Sequence, residues 1–266
     1  MKATLIALAL VLAMPGKRGS AQETPANQKP RPSQVRRSPS LFDRYFPFRV
    51  GQTRSYIVRG ELAEGSGQNL KLEPILGRYT ETVQSIRSIA PSTRIVEVRG
   101  IGTGTDLTVC DSDPFDRHSS AWEFWYILQD DRVFLKCTRD EVDVFTSALS
   151  GSPSGKTSEA KPEYLLPFKV GDSWGADPAS PKRTDSFYEW FVEDKLTVTV
   201  PAGKYDDCYR MVFRTLPDRL ERWVCSGGGL VAEEYTHHGT EGHYRTELTK
   251  VTESATKSIP SSNTKR

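Results

Sequence analysis

The chain has 266 residues, of which 36 are Lys or Arg and 34 are Asp or Glu. Three of the basic residues, Lys2, Lys17 and Arg18, belong to the first 21 residues, which contain no acid, so the remainder has 33 basic and 34 acidic side chains and a formal charge of −1. A chain this close to neutral lacks the basic face of a dedicated nucleic-acid-binding protein. Its length is enough for one large or two small domains.

Residues 1–21 have the pattern of a secretory signal peptide. Lys2 gives the charged start, and an apolar run from Ala3 to Met14 follows that is too short to span a bilayer. Gly19-Ser20-Ala21 then supplies small residues before a cleavage site, although basic residues nearby leave the exact cut open. We therefore expect a secreted or periplasmic bacterial protein with no stable membrane span after cleavage. An uncleaved membrane anchor is the alternative.

Three stretches rich in Pro, Ser and charged residues cannot bury a core. They are a predicted disordered leader at 22–41, a linker at 149–163 and a disordered tail at 253–266. Between them lie two segments of predicted structure, 42–148 and 164–252.

Similar sequence motifs, called phrases below, stand at the start of these two segments and indicate an internal duplication. Phe48-Arg49-Val50-Gly51 matches Phe168-Lys169-Val170-Gly171. Further along, a spacing of 98 residues separates Cys110 from Cys208 and also Trp125 from Trp223. We therefore predict two tandem halves of similar structure, the first of which carries an insertion. Chance matching of short words is the alternative.

Both segments are predicted to consist mainly of β-strands, because β-branched and aromatic runs alternate with Gly, Pro, Asp and Ser clusters at short, even spacing. The predicted strands are 78–89, 94–99, 124–128, 132–137, 195–200, 209–213 and 230–235. Glu141–Leu149 is the best helix candidate. The pattern predicts a mostly β fold of antiparallel meanders, either one continuous curved sheet, such as a half-barrel, or two packed sheets.

The stretch from Val198 to Cys225 is predicted to form a β-hairpin. Its turn is expected at Thr215–Asp218, because the Pro in this tetrapeptide has no N–H to donate to a ladder. The numbers of paired residues then sum to 433. This register brings Tyr209 opposite Val224 on an apolar face that suits a core.

The other face of the hairpin brings Cys208 opposite Cys225. Directly opposed cysteines are within reach of a disulfide, and an exported chain meets oxidising conditions. Because both cysteines lie in strands and not at the start of a helix, we predict a structural disulfide and not a redox dithiol. Cys110 and Cys137 are then expected to pair by elimination, although four cysteines allow three pairings.

The second segment contains a series of short motifs that are typical of turns and strands. They are Val200-Pro201-Ala202-Gly203, Trp223, Gly229-Leu230-Val231 and Glu247-Leu248. Together with the PF-x-VG opening, they resemble exported bacterial β domains of unknown function of the DUF3108 type. The resemblance covers roughly residues 167–248, and the opening motif of these domains also occurs at Phe46–Tyr56. It implies a half-barrel similar in shape to lipoprotein carriers and an envelope location. It implies no catalytic residue.

The densest aromatic run consists of Trp122, Phe124, Trp125 and Tyr126. Strand alternation places Trp122, Phe124 and Tyr126 on one face and Trp125 on the other. Core packing is the ordinary interpretation of such a run. A concave apolar lining for a lipid or peptide is the alternative, which makes these four the candidate ligand-binding residues.

Polar residues gather at the tip of a predicted hairpin near the end of the chain. Folding about Thr240 brings His237 near His243, with His238 and Glu241 close by. Three histidines and a carboxylate could bind Zn²⁺. An exposed polar turn is the alternative, since a catalytic zinc site needs ligands that rigid elements and supporting hydrogen bonds hold in place.

Two other motifs do not fit the chemistry they suggest. Gly151–Thr157 lacks one residue between its glycines to be a phosphate-binding loop. Asp111, Asp113 and Asp116 form only part of a calcium loop. We therefore predict no cofactor.

No motif names an activity, and three hypotheses remain. The first is a non-catalytic envelope protein whose curved sheet binds an apolar ligand or another envelope protein. The second is a purely structural or interaction module. The third is a metal-dependent hydrolase that uses His237, His238 and His243.

Overall fold

The computed structural model describes residues 40–64, 71–103, 121–151, 161–175, 187–239 and 242–253. The predicted signal peptide, nearly all of the leader, and the tail after residue 253 lie outside these residues, as do Cys110 and Glu241. The predictions made for them stay predictions.

The described part of the chain forms two helices and twelve strands. The helices are α1 (Leu41–Tyr45) and α2 (Arg139–Gly151), and neither is both long and apolar enough to cross a membrane. The first six strands are β1 (Thr53–Glu64), β2 (Lys71–Ala90), β3 (Thr93–Thr103), β4 (Ala121–Gln129), β5 (Arg132–Lys136) and β6 (Tyr164–Leu165). The last six are β7 (Ser173–Trp174), β8 (Trp190–Val200), β9 (Gly203–Arg214), β10 (Asp218–Cys225), β11 (Gly229–His237) and β12 (Gly242–Thr252).

The strands form one antiparallel sheet in the order β6-β5-β4-β3-β2-β1-β12-β11-β10-β9-β8-β7. Each half of the sheet is a meander, and the two meanders join where β1 pairs with β12, with Thr53 opposite Thr252. The predicted mostly β, antiparallel fold is confirmed. Of the two predicted arrangements, the chain adopts the single curved sheet, which is nearly closed on itself.

The inner face of this sheet surrounds one core that both halves share. Phe124 on β4 and Met211 on β9 belong to the same cluster of buried apolar side chains, and both are fully buried. Tyr164 at the β6 edge belongs to it too, together with Trp190 on β8. The two predicted halves therefore both contribute side chains to one core.

Helix α1 closes the end of the sheet at which β3 begins and β10 ends. The Tyr45 ring lies 5.2 Å from the ring of Phe168, and Phe46 lies 5.0 Å from Tyr164. The carbonyl of Arg44 accepts a hydrogen bond of 2.7 Å from the Gly227 N–H in the β10–β11 turn. These contacts fix the helix as part of the core.

Helix α2 contains the predicted helix at Glu141–Leu149, which is therefore confirmed. It starts with a capping box: the Glu141 N–H donates to Thr138 Oγ1 at 3.2 Å, and the Glu141 carboxylate accepts from the N–H groups of Cys137 and Thr138, each at 2.9 Å. Its apolar side, with Val142 and Phe145, covers the outer face of β3–β5.

The hairpin of β9 and β10 has the predicted register. Cys225 lies opposite Cys208 and Val224 opposite Tyr209. A disulfide joins Cys208 to Cys225, as predicted. Cys137 is also disulfide-bonded, but the predicted partner Cys110 lies outside the described residues.

The two similar phrases form the same turn. The Gly51 N–H donates to the Val83 carbonyl at 2.8 Å, and the Gly171 N–H donates to the Val192 carbonyl at 2.9 Å. Both glycines have a positive φ, 77° and 95°, which explains why each phrase ends in glycine. A duplication would produce this match, and the duplication itself stays a prediction.

Replacing both Cys208 and Cys225 by alanine should lower the free energy of unfolding by about 3 kcal/mol, because the bond closes a loop of 17 residues that the unfolded chain would otherwise leave free. Urea unfolding followed by tryptophan fluorescence measures this change. An unchanged midpoint would show that the disulfide does not stabilise the fold.

Candidate functional site

Five charged side chains form a network inside the curved sheet, and we call them the interior charge network. They are Arg54, Glu81, Glu163, Arg222 and Glu233. Strand pairing places Arg54 opposite Glu81 and Arg222 opposite Glu233. Glu81 also interacts electrostatically with Glu233, which connects the two pairs.

Arg222 is the centre of this network. Its side chain is 12% exposed, its Nη1 donates to Glu163, and its Nε lies 2.7 Å from Glu233 Oε2. The guanidinium also stacks on Trp190, 4.8 Å from the ring centre. Burial alone would lower the pKa of Arg222, but Tyr164 and the two glutamates hold it well above its ordinary value. The side chain therefore stays charged.

Arg54 is a second buried cation, with a residue exposure of 6%. Its guanidinium lies 5.2 Å from the Phe48 ring centre, and none of the described residues forms a hydrogen bond with its Nε. Gly229 packs directly against it: a Cβ at that position would lie 2.5 Å from Arg54 Nη1. This contact, together with a φ of +71°, explains the glycine at 229.

Glu81 is the glutamate of the network whose negative charge is least compensated by nearby basic side chains. Among the described residues, no basic side chain reaches ion-pair distance of its carboxylate. Burial raises the pKa of Glu81 to about 7, with Arg54 opposing the rise and Glu233 adding to it. The network has two arginines and three glutamates, so it is electrically neutral only when one glutamate is protonated.

Tyrosines surround the network. Tyr56 and Tyr79 stack with ring centres 4.7 Å apart, and Tyr126, Tyr164 and Tyr244 complete the set. Burial is the main reason why the pKa of each rises above its ordinary value. These hydroxyls therefore remain neutral.

A pocket of about 430 Å³ lies at the end of the sheet opposite α1, and we call it the rim pocket. It is formed by the β9–β10 turn (residues 214–219), by His238 and Gly239 in the β11–β12 turn, and by Phe187 before β8. The β9–β10 turn is fixed, because the Thr215 N–H donates to the Asp218 carbonyl at 2.7 Å and the Asp218 N–H donates to Thr215 Oγ1 at 3.1 Å.

Two tyrosines connect the rim pocket to the interior charge network. The Tyr235 hydroxyl donates to Asp218 Oδ1 at 2.7 Å in the pocket wall. Tyr235 stacks on Tyr244, with 5.2 Å between ring centres, and Tyr244 interacts electrostatically with Glu233 and Arg222. Burial, followed by the hydrogen bond to Asp218, raises the pKa of Tyr235.

The structure places the four candidate aromatic residues in two cores. Trp122, Phe124 and Tyr126 face the inner core, and Trp125 faces α2 on the outer side. All four are at most 9% exposed. They fit the core-packing interpretation, and their role in ligand binding stays a prediction.

The candidate zinc residues are only partly described, since Glu241 is not. His243 lies opposite Thr236, and His237 lies opposite Gly242. The two histidines thus occupy successive ladder positions, and side chains at such positions alternate between faces. Among the described residues, no group of three or more His, Cys, Asp and Glu side chains is placed to hold a metal ion.

Sequence reasoning did not identify the interior charge network. One signal was present: the predicted register of the hairpin placed Arg222 opposite Met211 on the apolar face. A charged residue at an inward position requires a partner inside the core. Its partners Glu163 and Glu233 lie on other elements and could not be found from the hairpin alone.

Replacing Arg222 by Met should lower the free energy of unfolding by about 3–5 kcal/mol, because two glutamates lose their buried cation. Arg59 is a matched control, since its side chain is 57% exposed and lies 3.6 Å from Glu247. Arg59→Met should cost less than about 1 kcal/mol. Equal losses in urea unfolding would contradict the central role of Arg222.

Glu81 should make stability depend on pH. Folding raises its pKa from an ordinary 4.5 to about 7, so in this window the folded chain holds a proton that the unfolded chain has released. Stability therefore falls as the pH rises from about 4.5 to about 7 and levels off above it. Glu81→Gln should remove this component, whereas Glu73→Gln, exposed on the same strand, should keep it. Urea unfolding at pH 5 and pH 8 measures both, and an unchanged difference in the Glu81 variant would contradict the assignment.

No model of a known protein family matches the chain, so the resemblance to DUF3108-type domains is not confirmed, and no curated protein matches it significantly. Two solved structures are similar to it. One is described as an exported protein with a YmcC-like fold from Bacteroides fragilis, with 13% identity, coverage of 79% of this chain and 99% of that one, and a TM-score of 0.43. The other is described as a lipoprotein from Parabacteroides distasonis, with 14% identity, coverage of 79% and 98%, and a TM-score of 0.39. Neither description names a ligand or an activity.

Proposed function

We propose that this chain is an exported, non-catalytic bacterial protein that binds an apolar ligand in the rim pocket. Export is supported by the signal-peptide pattern of residues 1–21 and by the disulfide between Cys208 and Cys225, since disulfides persist in oxidising compartments. The pocket volume of about 430 Å³ lies within the usual range for small-molecule sites.

The observation that carries the proposal is the exposure of Leu216 at the pocket. This side chain is 71% exposed on a turn that hydrogen bonds hold in place. Phe187 and Pro217 add apolar surface around it. Burying a leucine side chain of this kind under a ligand stabilises a complex by about 1.5–3 kcal/mol.

The rim pocket fits this role better than the aromatic run does. Trp122, Phe124 and Tyr126 already pack against other side chains of the core. A ligand could reach them only if the core opened. The rim pocket is open to solvent without such a change, so a ligand can enter a structure that is already formed.

Binding of the fluorescent apolar probe N-phenyl-1-naphthylamine tests the proposal. Leu216→Asp should weaken binding by about tenfold or more, because it removes at least about 1.4 kcal/mol of apolar contact. Val144→Asp is the matched control, since Val144 is 70% exposed but lies on α2, away from the pocket. This variant should bind the probe as the wild type does.

Two outcomes would contradict the proposal: no saturable binding to the wild type, or equal loss in both variants. Native mass spectrometry of protein purified gently from the exporting cell adds an independent readout. Extra mass that leaves on denaturation supports a ligand-binding protein. A bare chain that is recovered with a cross-linked envelope protein would favour the interaction module instead.

A further inference from the structure

We propose that Glu81 and Trp122 form a pH-sensitive switch on the inner face of the sheet. When the Glu81 carboxylate is ionised, it accepts a hydrogen bond from the Trp122 indole N–H, and when it is protonated, it releases this N–H. The switch is independent of the rim pocket and of any ligand there. It follows from the position of these two side chains on either side of Gly100.

The strand register places the two side chains next to each other. Glu81 on β2 lies directly opposite Gly100 on β3, and Gly100 lies directly opposite Trp122 on β4. Side chains at directly opposed positions of an antiparallel ladder point to the same face of the sheet. Trp122 belongs to the inner core, so all three positions lie on the inner face, with the glycine in the middle.

The Trp122 ring crosses Gly100 toward β2. A Cβ on Gly100 would lie 2.0 Å from Trp122 Cε2 and 2.2 Å from its Nε1, so the indole occupies the space that a side chain at position 100 would need. Because the Cβ atoms of directly opposed residues are roughly 5 Å apart, the indole N–H lies within reach of the Glu81 side chain. The ring also contacts Tyr79 on β2, with 5.8 Å between ring centres.

Both groups lack a hydrogen-bond partner within the described part of the chain. Trp122 is 9% exposed, and its Nε1 is a buried donor to which no described residue offers an acceptor. No described residue donates a hydrogen bond to the Glu81 carboxylate. A buried donor without an acceptor is unfavourable. An ionised carboxylate compensates it best, because hydrogen bonds to a charged acceptor are the stronger ones.

The other groups around Glu81 do not take the place of this hydrogen bond. Arg54 on β1 favours the ionised form, and Glu233 on β11 opposes it. Glu233 is itself paired with Arg222, which also binds Glu163. The tyrosines that interact electrostatically with Glu81 are Tyr56, Tyr79, Tyr126 and Tyr164. Burial raises the pKa of each of these tyrosines, so they stay neutral while Glu81 changes its charge.

Nuclear magnetic resonance of the indole N–H groups tests the switch, because the chain has five tryptophans and each indole gives one signal. The Trp122 signal, which Trp122→Phe identifies by its loss, should move downfield as the pH rises from 5 to 8, with a midpoint no higher than about 7. In Glu81→Gln this signal should not move. Trp125 is the matched control, since no described residue accepts from its buried Nε1 either, but it faces α2 on the other side of β4. Its signal should stay constant.

The carboxyl group itself provides a second readout. Without the indole donor, the ionised form of Glu81 loses its hydrogen bond. In Trp122→Phe the midpoint of the Glu81 titration, followed by carbon resonance of the labelled carboxyl group, should therefore rise by about one pH unit. Trp125→Phe should leave this midpoint unchanged. If Trp122→Phe does not fold, contacts of the indole N–H with the Tyr79 ring protons identify the Trp122 signal, and Glu81→Gln then decides alone.

Three results would overturn the switch. They are a Trp122 signal that does not respond to pH in the wild type, a response that persists in Glu81→Gln, and an unchanged Glu81 midpoint in folded Trp122→Phe. Persistence in Glu81→Gln would assign the titration to another group, such as Glu233. Failure of the apolar probe to bind would contradict the proposed function and leave the switch intact.

Discussion

The buried ion pairs of Arg222 are the constraint to which the rest of the structure conforms. Glu163 precedes β6 and is hydrogen-bonded through its N–H to Val133 on β5, at one edge of the sheet. Arg222 lies on β10, eight strands away in the sheet order. In a flat sheet, eight strand spacings would separate the two by roughly 38 Å. Their contact requires the sheet to curl back on itself, and the curl creates the shared core.

The curled sheet has two regions of different character. Its interior is filled by aromatic side chains and by the interior charge network, which is neutral only when one glutamate is protonated. This region determines how the sheet curves. Its rim is made of turns whose apolar and basic side chains remain accessible. Tyr235 and Tyr244 lie between the two regions: Tyr235 donates to Asp218 in the pocket wall, and Tyr244 interacts electrostatically with Glu233 and Arg222.

Local sequence patterns predicted those parts of the fold that form through contacts between residues close together in the sequence. The Pro in the turn and the two opposed cysteines were enough to give the register of β9 and β10. Strand β1 was not predicted, and β12 was predicted only at its start, as the second arm of the hairpin about Thr240, because charged residues such as Arg59, Arg245 and Glu247 interrupt their apolar pattern. In the sheet these three lie close together on one face, where they form ion pairs, so their charges fit a strand with one solvated side.

The candidate site could not be predicted for a different reason. The rim pocket combines Phe187 with turns near residues 216 and 238, and only the complete sheet brings these segments together. The interior charge network likewise joins residues from 54 to 233. The histidine cluster, in contrast, was suggested by closeness in sequence, and the strand register separates His237 and His243 onto alternate positions.

The pairing of β1 with β12 has a consequence for the order in which the molecule is made. Thr53 and Thr252 meet at the centre of the sheet although 199 residues separate them along the chain. Contacts of such long range form late and slowly. Strand β1 therefore lacks its β12 partner until the end of the chain has been made, and the middle of the sheet stays open until then. This delay leaves the β1 edge as the place where another strand could pair wrongly.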